Sequence, residues 1–123
     1  MDFSNCGPIA VVDDNPKIRL LLEEELSDLN CSASFFEDAF SLYEAAKNTE
    51  FAILFIDLMI PHVNGIECVK QVRANGYQGL IFVFSALVDE ELRSQAIASG
   101  ANDYLAKSQV LGNIEELISR VME

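Results

Sequence analysis

Positive charge is what this sequence has least of. Eight Lys and Arg side chains stand against twenty Asp and Glu, a formal net charge of −12 at pH 7. Binding a phosphate backbone calls for clustered basic residues that displace its counterions, so the composition argues against direct nucleic-acid binding. The acidity names no function by itself; it serves solubility and would suit a partner with a basic rim. Cysteine is also scarce: Cys6, Cys31 and Cys68 contain no Cys-x-x-Cys pair, which gives no sign of a disulfide framework or a thiolate metal site. They read as reduced thiols used for packing. No apolar run approaches the ~20 residues that a membrane-spanning helix needs. The start, Met1-Asp-Phe-Ser-Asn, lacks a basic region followed by an apolar one. The expectation is a cytoplasmic chain with no membrane insertion.

What is present suits one domain. A chain of 123 residues, 50% hydrophobic and 23% charged with three prolines, is compact rather than disordered and long enough for a core without staples. A single domain over residues 1–123 is expected. Five short apolar runs stand out: Ile9 to Val12, Ala33 to Phe36, Phe51 to Ile56, Leu80 to Phe84, and Tyr104 to Leu105. Apolar on both faces and rich in β-branched or aromatic residues, they suit a parallel sheet covered on both sides.

Helical patterns lie between them. Asn15-Pro16 offers a cap and a first-turn proline, followed by Ile18, Leu21, Leu22, Leu26 and Leu29 as a buried stripe. Ala39, Leu42 and Ala46 mark a second helix, and Ile66, Val69, Val72 and Arg73 a third that stops near Asn75-Gly76. Leu92, Ala96 and Ser99 outline a fourth with a weak apolar face, ending before Gly100. In the last, Ile114, Leu117, Ile118 and Val121 recur at three and four, and Asn113 with Glu116 resembles a capping box. Phe3, Phe35, Phe36, Phe40, Phe51, Phe55, Phe82 and Phe84 read nearly all as core.

Strict alternation of strand and helix with right-handed crossovers points to a doubly wound, three-layer α/β fold. Ligands bind such sheets beyond the carboxyl ends of the strands, where Asp13, Asp14, Asp57 and Ser85 all fall. Three carboxylates on one sheet edge form an acidic pocket that mainly a divalent cation makes tolerable. Each has a plainer reading: Asp13-Asp14 as turn or cap residues, Ser85 as a helix cap, Lys107 as a surface charge. His62, with no second His or Cys nearby, reads as a loop side chain.

In order and in strand context, Asp13-Asp14, Asp57, Ser85 and Lys107 resemble the receiver domain of two-component response regulators over essentially the whole chain. So do the segments Asp57-Leu-Met-Ile-Pro61-His-Val-Asn-Gly65 and Gly100-Ala-Asn-Asp-Tyr104-Leu-Ala-Lys107. The resemblance implies a flavodoxin-like (βα)₅ sandwich with strand order 2-1-3-4-5 and a role in a His-to-Asp phosphorelay rather than as an enzyme. Asp57 would be the phosphoacceptor and nucleophile. Asp13, Asp14, Asp57 and the Met59 backbone carbonyl would hold Mg²⁺, with Mn²⁺ as an alternative. Lys107 would offset charge on the phosphoryl oxygens, and Ser85 and Tyr104 would form the switch. Implied partners are a sensor histidine kinase or histidine phosphotransfer protein and a downstream effector, with the chain a monomer or a phosphorylation-dependent dimer. The surface around the fourth helix, fifth strand and fifth helix would carry the altered state to that effector.

Departures from the family pattern and rival readings qualify this picture. The family's proline after its lysine is replaced by Ser108, and Ser108 to Asn113 reads as about two residues longer than usual, which predicts a different path for Lys107. Met59 and Leu87, two residues beyond Asp57 and Ser85, have no charge or amide to orient water, which predicts slow loss of the phosphoryl group. Met59 likewise cannot be the general acid of a phosphohydrolase, and Asp13-Asp-Asn-Pro-Lys-Ile18 lacks the Gly-rich cradle of a nucleotide or flavin carrier. A phosphorylation-independent pseudo-receiver is the remaining alternative.

Overall fold

The computed structural model describes residues 6–87 and 89–120. Strand and helix alternate throughout: β1 (Ile9–Val12), α1 (Pro16–Asp28), β2 (Ala33–Phe36), α2 (Ala39–Ala46), β3 (Ile53–Asp57), α3 (Gly65–Ala74), β4 (Leu80–Ser85), α4 (Glu90–Ser99), β5 (Asp103–Ala106) and α5 (Lys107–Ser119). The strands form one parallel sheet in the order β2-β1-β3-β4-β5. This is the expected flavodoxin-like α/β arrangement.

Successive strand side chains point to opposite faces, and the sequence supplies apolar residues for both. Ala10, Val12, Leu54, Ile56, Ile81 and Val83 join Ala39, Leu42, Ile66, Val69, Val72 and Ala96, so α2, α3 and α4 cover one face. Ile9, Val11, Ile53, Phe55, Phe82 and Phe84 join Leu22, Leu26, Val110, Ile114, Leu117 and Ile118, so α1 and α5 cover the other. Phe55 and Phe82 stack with ring centroids 5.5 Å apart on adjacent strands. Fully burying a side chain of this size contributes roughly 2–3 kcal/mol. Cys6 and Cys31 pack on the α1 face and Cys68 on the other.

Several expectations are corrected. In α1 only Leu22 and Leu26 are buried, and Leu21 is 46% exposed. A helix turns about 100° per residue, which carries Leu21 off the narrow stripe centred on Leu22 and Leu26. Ala46 and Phe40 also face solvent; Phe40 lies at the outer start of α2 and packs its ring against Tyr43. The last helix begins at Lys107, not after Asn113. Ser108 to Gly112 is therefore helical chain rather than extra loop, its start stabilised by the Ala106 N–H donating to Gln109 Oε1 at 2.9 Å. Asn113 has non-helical angles (φ −137°, ψ 27°) and marks a kink, where its side-chain amide donates to the Gln109 carbonyl. Phe3 and Val121 lie outside the described residues.

The fourth helix has the weak apolar face anticipated: Ala96 is its buried residue. Its ends are well made. Asp89 accepts hydrogen bonds from the Glu91 and Leu92 N–H groups, and Gly100 stops the helix at φ +120°, a conformation that suits glycine.

Arg73, placed on the third helix's stripe, instead ties down the end of the sheet remote from Asp57. Its guanidinium donates to the carbonyls of Gly100, Tyr77 and Gly79, each at 2.9 Å, and to Asn102 Oδ1 at 3.2 Å. Only a planar fork serves four acceptors in two loops. Arg73→Ala is expected to lower stability by about 2–3 kcal/mol, and Arg73→Lys to recover less than half of that, as read by urea unfolding. Full recovery by lysine would show that charge rather than geometry matters.

Candidate functional site

Register builds the site. Val12 of β1 pairs with Ile56 of β3, so the next residue on each strand, Asp13 and Asp57, emerges side by side at the carboxyl edge. Asp14 follows at the rim. Asp13 and Asp57 are buried and Asp14 is exposed; the three offer carboxylate oxygens that all lie within 4.8 Å of one another. This is the metal-capable cluster among the described residues, and His62 is outside it. His62 sits in the β3–α3 loop at φ +74° with its ring 5.9 Å from that of Phe40.

The plainer readings hold in part. Asn15, not Asp14, caps α1, its side chain accepting from the Lys17 N–H, while Asp13 Oδ1 accepts from the Asn15 N–H at 2.8 Å. That leaves Asp13 Oδ2, a fully buried oxygen without a hydrogen bond, approached by the Lys107 ammonium at 3.3 Å. Asp57 Oδ1 accepts from the Met59 N–H and Oδ2 from Lys107 Nζ, both at 3.2 Å. Two buried carboxylates facing one ammonium are short of positive charge. An under-coordinated carboxylate oxygen within an all-oxygen donor set fits a hard divalent cation such as Mg²⁺ or Mn²⁺.

Lys107 reaches both buried carboxylates from the first turn of α5 across a trans Lys107–Ser108 bond. Its ammonium also lies 5.7 Å from the centre of the Phe84 ring. Burial pulls its pKa down, but the adjoining Asp57 and Asp13 carboxylates outweigh this and hold it above the usual lysine value. Burial, then the Asp13 charge, pushes Asp57 the other way, up to about 6, against the lowering effect of the Met59 N–H and Lys107.

Ser85 ends β4 at the same edge, buried, with its Oγ accepting from the Leu87 N–H at 3.1 Å. Tyr104 of β5 is fully buried, and its hydroxyl donates to the Leu87 carbonyl at 2.8 Å. The ring is thus part of the core, and its hydroxyl is engaged by a backbone carbonyl rather than by water. Leu87 is instead held at its N–H by Ser85 and at its carbonyl by Tyr104, with its side chain exposed.

Two supporting residues were not singled out for their roles. Arg19, one turn into α1, donates to the Asp13 carbonyl at 2.6 Å and pairs with Glu37 at 3.6 Å; an arginine six residues after a carboxylate pair is a weak signal. Gly65 packs so tightly under the site that a Cβ would come 2.5 Å from the Asp57 carbonyl oxygen and 2.8 Å from Leu58 Cα. Its place at the end of the quoted loop segment is thus a steric requirement.

Residues 9–121 match the family model of the response regulator receiver domain. Among curated relatives, the chain is 29% identical over 113 residues to response regulator ArlR of Staphylococcus saprophyticus, covering 92% of this chain and 50% of the relative. It is 31% identical over 113 residues to response regulator MprA of a Mycobacterium species, covering 92% and 48%. The chain thus spans about half the length of these relatives. Among solved structures, chemotaxis protein CheY4 of Vibrio cholerae superposes with a TM-score of 0.86 at 23% identity, covering 94% of this chain and 98% of the other. A sensor histidine kinase receiver domain from Pseudomonas aeruginosa, with a magnesium ion coordinated in its active site cleft, gives 0.84 at 23% identity, covering 95% and 98%.

The raised Asp57 pKa has a signed consequence. A carboxyl held at about 6 when folded, above its ordinary ~3.9, stabilises the fold fully below that ordinary value and loses the contribution as pH rises through about 6. In chelator, Asp57→Asn is expected to be more stable than the parent near neutral pH by roughly 1–2 kcal/mol, the gap closing as pH falls to about 4. Urea unfolding at both pH values measures it; a variant less stable at neutral pH would mean that Lys107 already offsets the carboxylate repulsion.

Proposed function

The chain belongs to the response regulator receiver domain family, and on that premise we propose that it accepts a phosphoryl group on Asp57 in a His-to-Asp relay. The observation that carries this reading is the buried pair Asp13 and Asp57, with one oxygen lacking a hydrogen bond and a single ammonium reaching both. Such a pair is poorly arranged as a structural ion pair and well arranged to receive cationic and phosphoryl groups. Asp13, Asp14 and Asp57, with the Met59 carbonyl, would hold Mg²⁺. The ion would supply charge neutralisation and orientation of phosphoryl oxygens.

Asp57 Oδ2 or Oδ1 attacks phosphorus, the P–N bond of a donor phosphohistidine breaks, and the histidine nitrogen leaves with the electron pair. Lys107 already sits on Asp57 Oδ2, where its ammonium can shift to the new phosphoryl oxygens without leaving the pocket. Ser85 releases the Leu87 N–H and donates its hydroxyl to the phosphoryl group. Because the carbonyl of the same residue, Leu87, is also held by Tyr104, that rotation frees one of the two backbone ties of Leu87 and carries the change toward α4. The receiver thus signals by partner exchange, with a histidine kinase or phosphotransfer protein as donor and a separate effector reading the altered surface around α4, β5 and α5.

Incubation with a small phosphodonor and Mg²⁺ is expected to add one phosphoryl mass to the intact chain, and none in Asp57→Asn or with excess chelator. An adduct that survives in Asp57→Asn would overturn the assignment, and no adduct from either small donors or phosphohistidine proteins would favour a pseudo-receiver.

The adduct's lifetime is a separate expectation. Met59 and Leu87 are 69% and 64% exposed at the mouth of the site and offer attacking water neither charge nor amide, so hydrolysis is expected over minutes or longer. Met59→Asn should shorten the lifetime several-fold, followed by the decay of the intact-mass adduct; decay of the parent within seconds would defeat the argument.

A further inference from the structure

At the sheet end opposite Asp57, two thiols that are 25 residues apart in sequence come into direct contact. Cys6 Sγ lies 3.2 Å from Cys31 Sγ, and both residues are buried. Cys6 leads into β1 and Cys31 into β2, adjacent parallel strands with Ile9 opposite Ala33. The contact therefore rests on strand pairing on one side. On the other, the turn after α1 places Cys31, whose N–H donates to the Leu26 carbonyl at 2.9 Å, with Asn30 at φ +61°.

We propose that Cys6 and Cys31 are a dithiol modification site that a low-molecular-weight disulfide oxidises to an intramolecular disulfide. A disulfide bond is about 2.0 Å long, so the sulfurs need to close by only about 1.2 Å from their 3.2 Å contact. Cys31, at 9% exposure against 2% for Cys6, is the thiol that a reagent reaches first. Its thiolate attacks the oxidant disulfide RSSR, forming the mixed disulfide Cys31–S–S–R and releasing RS⁻. The Cys6 thiolate then attacks Cys31 Sγ, the S–S bond to R breaks, and a second RS⁻ leaves. Two protein thiols lose two electrons and two protons, and RSSR becomes two RSH.

The pair is buried among apolar side chains, which limits the access of a reagent and makes it a site that responds to sustained oxidation rather than a catalytic thiol. Cys68 has no part in it. It is packed against the other face of the sheet, and burial pushes its thiol up to about 11. The ring closed by the new bond holds β1 and α1 and removes entropy from the unfolded chain, so oxidation acts as a clasp on stability. The clasp joins the ends of β1 and β2 remote from Asp13 and leaves the acidic pocket in place.

The full chain is treated with oxidised glutathione at neutral pH and then analysed by intact mass and non-reducing peptide mapping. The expected result is loss of two hydrogen masses, one Cys6–Cys31 cross-linked peptide pair, and a thermal midpoint raised on the order of 10 °C. Cys68→Ala should behave as the parent does. Cys6→Ala should stop at a glutathione adduct on Cys31, with no loss of two hydrogens. Because mapping is done on the parent itself, the outcome does not depend on any variant folding. Retention of both thiols after prolonged incubation with excess oxidised glutathione would overturn the proposal. So would a bridge to Cys68 or between chains, or a thermal midpoint that falls on oxidation.

Discussion

Everything at the functional edge depends on the confrontation of Asp13 and Asp57, two carboxylates forced together by the pairing of β1 with β3. Val12 opposite Ile56 leaves the following residues no alternative but adjacency, and burial removes the water that would screen them. Among the described residues, one ammonium answers them. Lys107 stands within 3.3 Å of both, and the same confrontation raises the Lys107 pKa and pushes that of Asp57 upward. A site in this condition is strained toward accepting positive charge. The strain is held by backbone register and by a core that commits both faces of the sheet, so it does not relax by a small side-chain movement.

The rest of the edge is arranged around that imbalance. Gly65 lets the β3–α3 connection close against the Asp57 carbonyl, where any side chain would collide. Arg19 holds the Asp13 carbonyl from α1 and so steadies the backbone without approaching the carboxylate oxygens. On the other side, Leu87 is suspended between Ser85 and Tyr104. The Ser85 hydroxyl at the acidic edge and the hydroxyl of the fully buried β5 ring grip the N–H and the carbonyl of one residue. The helix that follows buries only Ala96 among its own residues, the smallest buried face of the five helices. Strength is concentrated at the other end of the sheet, where Arg73 joins the α3–β4 and α4–β5 connections through four hydrogen bonds.

Much of this was legible in the residues. The run Ile9 to Val12 coincides with its strand, because a strand buried on both faces must be apolar at every position; Ala33 to Phe36 coincides as well, although this edge strand is only half-buried and exposes Ser34. Helix stops at Asn75-Gly76 and Gly100 were legible because positive φ is chemically selective. Burial on helix faces was less so. Leu21 and Phe40 are as apolar as their buried neighbours yet face solvent, since the rotation of a helix against its sheet is settled by packing that hydrophobicity alone does not encode. Asn113 illustrates the same limit: it carries the chemistry of a cap, but the helix had already begun at Lys107, and the residue became a kink.

The sequence by itself determined the alternation of elements, the doubly wound class and the delivery of Asp13, Asp14, Asp57 and Ser85 to strand ends, because periodicity and turn chemistry are local. Only the tertiary structure decided how these groups meet. The approach of Lys107 to both buried carboxylates, the inward burial of Tyr104 with its hold on Leu87, and the contact of Cys6 with Cys31 all join residues far apart in the chain. Such contacts are products of strand register and helix rotation, which are fixed by the whole core at once and leave no mark in any single stretch of residues.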